Sequence, residues 1–334
     1  MRPIGRGGMA EVWLARLGGA LGFQKQVVLK RILPRYARDQ RFVDMFIAEA
    51  QVASHLNHAN VVSVWDFGET DGQYFMAMEY VPGWDLYQAL AQASRAERPP
   101  NPEVIAYVLS AICRGLHHVH EARDPAGRAL GIVHQDISPS NVLMSRDGQV
   151  KVGDFGVAHA RSGRGGSAIA GRLRGKLGYL SPERLEAGSV VDLRSDLFAA
   201  GIILYEALTL KRLFRRQDPI ETVERVRACD IGRQLRAHRE IPTGLAEIIQ
   251  RSVTANPDDR YHTAGLMADA LDDWLHRRRR VSAREVKQWL TDLFEGGLPQ
   301  KFEPLVDTSG RPPRSRSSAM LDKQLRRARF VFQE

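Results

Sequence analysis

Cysteine is nearly absent from this chain: among 334 residues only Cys113 and Cys229 carry thiols. Two cysteines so far apart, with no metal-like spacing, exclude a disulfide framework and a structural zinc site. A reducing cytoplasm is the expected setting. Long apolar runs are also missing. The longest, Leu197 to Leu208, is interrupted by Glu206 and falls short of the ~20 residues that a membrane span needs. The opening Met1-Arg2-Pro3-Ile4-Gly5 has no signal-peptide segment, so neither export nor a membrane partner is expected. Excess charge of one sign is lacking over most of the length. Residues 1–276 hold 34 Lys+Arg against 32 Asp+Glu, whereas 277–334 hold 14 against 7. The net charge of +9 therefore sits mainly in the tail and does not describe a nucleic-acid-binding body. The rest is ordinary globular composition, 43% apolar and 26% charged. The length exceeds one usual core, so two subdomains or one domain with appendages are expected.

The pattern changes along the chain. A glycine-rich turn follows Ile4, then Glu11 to Ala15 and Val27 to Lys30 read as short strands. Phe42, Met45, Phe46, Val52 and Leu56 fall at near-helical spacing over 41–56. Val61 to Phe67 and Tyr74 to Val81 read as further strands around Thr70-Asp71-Gly72. After Pro82-Gly83 the chain turns helical. Asn101-Pro102-Glu103 is a helix start leading to about His120, and more helices are predicted near 196–209, 219–228, 243–253 and 263–276. Thr308 to Ser318 reads as a disordered linker.

Several residues carry chemistry. Gly5-Arg6-Gly7-Gly8-Met9-Ala10 lies between two strands, where glycines let a backbone approach a phosphate, although a ligand-free hairpin looks the same. Lys30 closes an apolar strand, and Glu49 follows 19 residues later inside the first helix. As an ion pair they would present an ammonium to phosphate oxygens; as unrelated surface charges they would do nothing. His134-Gln135-Asp136-Ile137-Ser138-Pro139-Ser140-Asn141 and Asp154-Phe155-Gly156 change the balance. Asp136 can orient a hydroxyl and take its proton, and Asn141 and Asp154 offer the hard oxygens that magnesium prefers. They flank a hairpin of strands 141–145 and 150–152, which lets Asn141 and Asp154 converge on one metal.

With that set the sequence resembles the protein kinase family, specifically the bacterial eukaryotic-like (Hanks-type) Ser/Thr kinases, over residues 1 to about 276. The resemblance implies an α+β, bilobal kinase fold with a small β-rich N-lobe holding one main helix and a larger, mainly helical C-lobe. It implies an N-lobe at 1–81 with its first strand largely missing, a C-lobe at 82–276, an amphipathic extension at 277–296 and a basic, disordered tail at 297–334. It also implies ATP and Mg2+ as cofactors and Ser/Thr-bearing proteins as substrates in bacterial signalling. By resemblance Lys30, positioned by Glu49, binds the α and β phosphates, and the loop Gly5 to Ala10 covers them. Asp136 orients the acceptor, and Asn141 and Asp154 hold magnesium. Met78 and Glu79-Tyr80-Val81 correspond to the gatekeeper and the adenine-binding hinge, Asp85 to the ribose contact, and Val12, Val28 and Leu143 to the adenine pocket. Ser181-Pro182-Glu183 closes the activation segment, and Glu183, Asp196 and Arg260 are scaffold.

Four departures qualify the resemblance. Ala10 replaces the loop's third glycine, and the chain begins four residues before Gly5. Gln135 replaces the usual arginine, so control by activation-segment phosphorylation is less expected. That segment, with Ser162 and Ser167 among Arg161, Arg164, Arg172 and Arg174, reads as a flexible basic loop. Ser138 replaces the usual lysine two residues after the catalytic aspartate, while Lys176 replaces the threonine of Gly-Thr-x-x-Tyr, in Gly175-Lys176-Leu177-Gly178-Tyr179. An exchange is expected, in which Lys176 supplies the missing cation to Asp136 and the γ-phosphate. Without that exchange Lys176 is a loop residue on a weakened enzyme. A pseudokinase, acting as a nucleotide-binding or scaffolding module, is the alternative function. A small-molecule kinase is disfavoured because Gly175 to Glu183 resembles a peptide-docking segment. His117, His118 and His120 lack a ligand pattern and read as structural or solvated, and Trp65, Trp84 and Trp274 as packing. Val286, Trp289, Leu290, Leu293 and Phe294 form an apolar stripe expected to pack on the large lobe. Gln324 to Phe332 can dock a partner protein or acidic surface.

Overall fold

The computed structural model describes residues 1–6, 9–18, 24–70, 72–154, 176–186, 188–278 and 280–294. Its described residues divide into two compact units, 1–54 with 63–80, and 55–62 with 81–294.

The first unit is an antiparallel sheet with one helix. Its strands are β1 (Arg2–Arg6), β2 (Ala10–Gly18), β3 (Gln24–Ile32), β4 (Val64–Thr70) and β5 (Gln73–Glu79), in the order β1-β2-β3-β5-β4. The first strand, expected to be largely missing, is present and pairs Arg2 with Leu14. Helix α1 (Gln40–Ser54) lies between β3 and β4 in sequence. From Val27 to Ile32 β3 is buried on both faces, and its period of two sorts its side chains. Val27 and Leu29 join Ala15 and Ala77 in one cluster, while Ile32 joins Val43, Phe46, Ala50 and Met76 in another. α1 thus covers the face that carries Ile32 and, two residues earlier, Lys30.

The second unit is mainly helical. It opens with β6 (Gly83–Asp85), α2 (Leu86–Arg95) and α3 (Pro102–His120). α2 was not predicted. Asp85 starts it with a capping box, in which Oδ1 accepts from the Gln88 N–H at 2.7 Å and the Gln88 side chain accepts from the Asp85 N–H at 3.1 Å. Asn101 caps α3 through the Glu103 N–H at 2.8 Å, with Pro102 in the first turn. β7 (Val142–Ser145) and β8 (Val150–Val152) complete a sheet in the order β6-β7-β8. Residues 55–62 belong to this unit because Val62 N–H donates to Val152 O and Val152 N–H to Asn60 O, both at 2.9 Å. A Cβ on Gly115 of α3 would stand 2.6 Å from the Asn60 carbonyl, so only glycine allows that approach.

α4 (Arg194–Thr209) is buried from Ser195 to Thr209, as a helix apolar all round must be. α5 (Pro219–Ala228), α6 (Gly232–Ala237), α7 (Thr243–Ser252) and α8 (Ala264–His276) follow. α9 (Ala283–Phe294) buries Val286, Leu290 and Leu293 in the same core as α3 and α4, at roughly 1.5–3 kcal/mol per side chain. The expected packing of the stripe on this unit is what the structure shows. Among the described residues no helix is long and apolar enough to cross a membrane.

Candidate active site

In the first unit, Lys30 and Glu49 are both buried, and Lys30 Nζ lies 2.5 Å from Glu49 Oε1. β3 and α1 therefore hold an ammonium in a fixed place, which a solvated lysine would not have. Val12 is the register partner of Lys30, and Val28 that of Met78. The Glu79 N–H donates to Ser63 O at 2.9 Å, and its side chain accepts from the Ser63 N–H at 3.2 Å. Gly5 is not in a turn. It lies in β1 opposite Val12, beside a register shift at Ile4. The Met9 carbonyl accepts from the Leu33 N–H at 2.8 Å. Gly7, Gly8 and the side chain of Arg6 lie outside the described residues.

In the second unit the loop from His134 to Asn141 is built around Asp196. This buried carboxylate accepts from the His134 and Gln135 N–H groups, both at 2.8 Å, and its Oδ2 lies 2.9 Å from His120 Nε2. Burial would raise its pKa, but the hydrogen bond from His120 and the charges and N–H around it outweigh burial and hold it below 3.8. His120, expected to be structural, is thus part of the loop's anchor. The Gln135 carbonyl accepts from Arg184, and Gln135 takes φ +60°, a left-handed conformation that only such anchoring sustains. Arg184 was not singled out from the sequence. His134 is neutral. Its Nδ1 accepts from the Asp136 N–H at 3.3 Å and its Nε2 faces Gly153 O at 3.2 Å, and burial lowers its pKa below 6.5.

Asp136, Asn141 and Lys176 come together here. Asn141 Nδ2 donates to the Asp136 carbonyl at 2.7 Å and to Asp136 Oδ2 at 3.1 Å. Lys176 Nζ donates to Asp136 Oδ2 at 2.7 Å and lies 3.4 Å from Asn141 Oδ1. Ser138 is buried with its Oγ 3.1 Å from Ser140 Oγ. The Gly153 N–H donates to the Asn141 carbonyl at 2.9 Å, which ties the residue before Asp154 to Asn141. Asp154 itself is exposed and takes φ +55°. Phe155 to Gly175, with Ser162 and Ser167, lie outside the described residues.

The donor set fits magnesium. Asn141 turns Nδ2 to the Asp136 carbonyl, which leaves Oδ1 as a hard oxygen. Among the described residues no group of three or more His, Cys, Asp or Glu can hold a metal. Asp85 pairs in register with Leu143 on β7, and burial pushes its carboxyl up to about 6. Its Oδ1 is engaged in capping α2, a role absent from the sequence reading.

The scaffold residues sit where expected. Arg260 is fully buried and bonds Glu183 through two parallel contacts of 2.8 Å. It also donates to the carbonyls of Thr254, Ala255 and Arg194. Tyr179 Oη lies 2.6 Å from Glu206 Oε2, to which Arg212 also donates at 2.6 Å.

A buried pair of a lysine on a small sheet and a glutamate on its helix, and an aspartate–asparagine loop anchored by a buried aspartate in a helical unit, define the class as a protein kinase domain. The protein kinase domain family matches residues 1–274, and the chain belongs to it. It is 40% identical over 275 residues to the tyrosine-protein kinase MasK of Myxococcus xanthus, covering 82% of this chain and 42% of that protein. Serine/threonine-protein kinase PrkC of Bacillus subtilis is 33% identical over 264 residues, covering 79% of this chain and 38% of PrkC. Serine/threonine-protein kinase pkn3 of M. xanthus is 34% identical over 308 residues, covering 89% and 53%. The crystal structure of the Mycobacterium tuberculosis PknI kinase domain matches with a TM-score of 0.57 at 26% identity, covering 81% of this chain and 94% of that one. The chain spans about two fifths of the length of MasK and PrkC.

Proposed function

We propose that this chain is an ATP- and magnesium-dependent kinase that phosphorylates Ser and Thr hydroxyls of proteins. The observation that carries the proposal is the cluster of Asp136, Asn141 and Lys176 on a loop anchored by Asp196. Among the described residues the two donors to the Asp136 carboxylate, Asn141 and Lys176, both bond Oδ2, which leaves Oδ1 to accept from the acceptor hydroxyl and take its proton as the phosphoryl group departs from ATP. Lys176 stands in for the lysine absent at position 138 and presents its ammonium where charge develops. The Lys30–Glu49 pair binds the α and β phosphates. Asn141 Oδ1 and Asp154 hold magnesium, which supplies charge neutralisation on the phosphates when bound. Every metal and base position retains a competent residue, which supports an enzyme over a non-catalytic module.

Serine/threonine preference is supported by relatives such as PrkC and pkn3, both so named. Tyrosine preference is the second reading, favoured by the 40% identity to MasK. Incubation of the 334-residue chain with Mg-ATP and a mixed peptide library, followed by phosphoamino-acid analysis, separates the two. Phosphoserine and phosphothreonine support the proposal, and phosphotyrosine alone refutes it.

A further inference from the structure

Helix α9 lies beyond residue 274, where the match to the kinase family ends, yet it is built into the second unit. Its first turn rests on the β7–β8 hairpin. Gly148 takes φ +81°, and a Cβ there would stand 1.8 Å from the Ala283 carbonyl, so only glycine admits the helix. Its last turn reaches two places that flank Asp85. Phe294 stacks on Trp84 of β6 with ring centroids 4.3 Å apart and planes 2° from parallel. The Leu293 carbonyl accepts from Gln92 Nε2 of α2 at 3.4 Å. Trp84 and Asp85 are neighbours on a strand and point to opposite faces. Phe294 therefore presses on the reverse side of the strand that presents Asp85, while Leu293 is tied to the helix that Asp85 caps.

We propose that Phe294 is a positioning residue for nucleotide binding, acting through Trp84 on the β6 segment that carries Asp85. The inference rests on reading β6 as part of the nucleotide site. The core contacts of α9 are made chiefly by the buried Val286, Leu290 and Leu293, whereas Phe294 is half-buried at the edge of that core. An aromatic stack is worth roughly a two- to tenfold change in an equilibrium constant. A residue acting through another cannot pass on more than its own contact contributes, so that range bounds the effect. Phe294 also directly precedes the basic segment 295–334 in sequence, so a partner that binds this segment acts one residue from the stack.

The test uses the full 334-residue chain and reads Mg-ATP binding by calorimetry, with KM for ATP, kcat and melting temperature measured alongside. Phe294→Ala is expected to weaken Mg-ATP binding and raise KM two- to tenfold, with kcat at saturating ATP unchanged. Phe294→Tyr restores both to within twofold of wild type. Leu290→Ala lowers the melting temperature more than Phe294→Ala and leaves Mg-ATP affinity intact. Should Phe294→Ala fail to fold, Phe294→Leu keeps apolar volume without the ring and carries the same expectation. Wild-type affinity in the ring-less variants, or equal weakening by Leu290→Ala, overturns the inference. A wild-type chain that binds Mg-ATP but transfers no phosphate overturns the proposed function alone; one that binds no Mg-ATP overturns both.

Discussion

Replacing Lys176 by alanine separates a catalytic cation from a stabilising one. Lys176 Nζ sits 2.7 Å from Asp136 Oδ2, but its side chain is 26% exposed and that of Asp136 15%. A partly solvated pair of this kind contributes about 1 kcal/mol or less to folding, which for a domain of this size moves the melting temperature by only about 2–4 °C. A cation preorganised where charge develops is worth more in the transition state. Loss of one such group costs about 2.7–4 kcal/mol, or a hundred- to thousandfold in kcat. Lys176→Ala should therefore lose two to three orders of magnitude in phosphotransfer while its thermal melt barely shifts, with the exposed Lys211→Ala as control. The exchange also predicts a rescue. Ser138→Lys alone places a second ammonium beside the first in a buried site and should lower activity. Combined with Lys176→Thr it recreates the family's usual arrangement and should recover at least tenfold of the Lys176→Ala loss. Turnover of Lys176→Ala within twofold of the Lys211→Ala control would refute the reasoning.

Arg260→Ala strands Glu183 as a buried, unpaired carboxylate and should lower stability by about 3–5 kcal/mol, read from urea unfolding. The pH dependence of stability has two opposed contributions. Burial lowers the His134 pKa below 6.5, so below about pH 6.5 the unfolded chain binds more protons than the folded one; stability then falls until the folded pKa is reached. His58, also lowered by burial, acts in the same sense. Asp85 acts the other way: with its pKa raised from 3.8 to about 6, the folded chain binds the extra proton, so stability falls as pH rises through that window. Asp85→Asn keeps the helix cap but removes this contribution. Its stability advantage over wild type should grow from about pH 4 to pH 6, towards 1–3 kcal/mol, as read from denaturant midpoints across pH. Burial pushes the Cys113 thiol up to about 12 and that of Cys229 to about 11. Neither should react appreciably with iodoacetamide at pH 8 in the folded chain, as mass spectrometry would show.

Features set by neighbours in sequence were legible before the structure. Asn101-Pro102-Glu103 marked the start of α3, and the β7–β8 hairpin followed from strand, turn and strand within twelve residues. The bonding of Lys176 to Asp136, 40 residues apart, was legible only because two departures from a family pattern matched each other. Part of what escaped was decided by distant contacts. Val61 and Val62 have strand-like side chains, yet the Val61 N–H donates to His58 O and the Val62 N–H to Val152 O, so β4 begins at Val64. The start of α2 escaped because the local pair Asp85 and Gln88, three residues apart, was not read as a capping box. Arg184 gave no signal, since its partner, the Gln135 carbonyl, lies 49 residues away. Gly5, read as part of a turn, joined β1 because a register shift at Ile4 lets Arg2, Pro3, Gly5 and Arg6 pair with β2.

The central claim is that Asp136 and its partners catalyse phosphoryl transfer to Ser and Thr hydroxyls. A phosphosite map of the purified 334-residue chain incubated with Mg-ATP, alongside Asp136→Asn, tests it most directly. The account predicts phosphate on Ser or Thr in the wild-type chain and none in the variant. No incorporation in either chain, or equal incorporation in both, would contradict it.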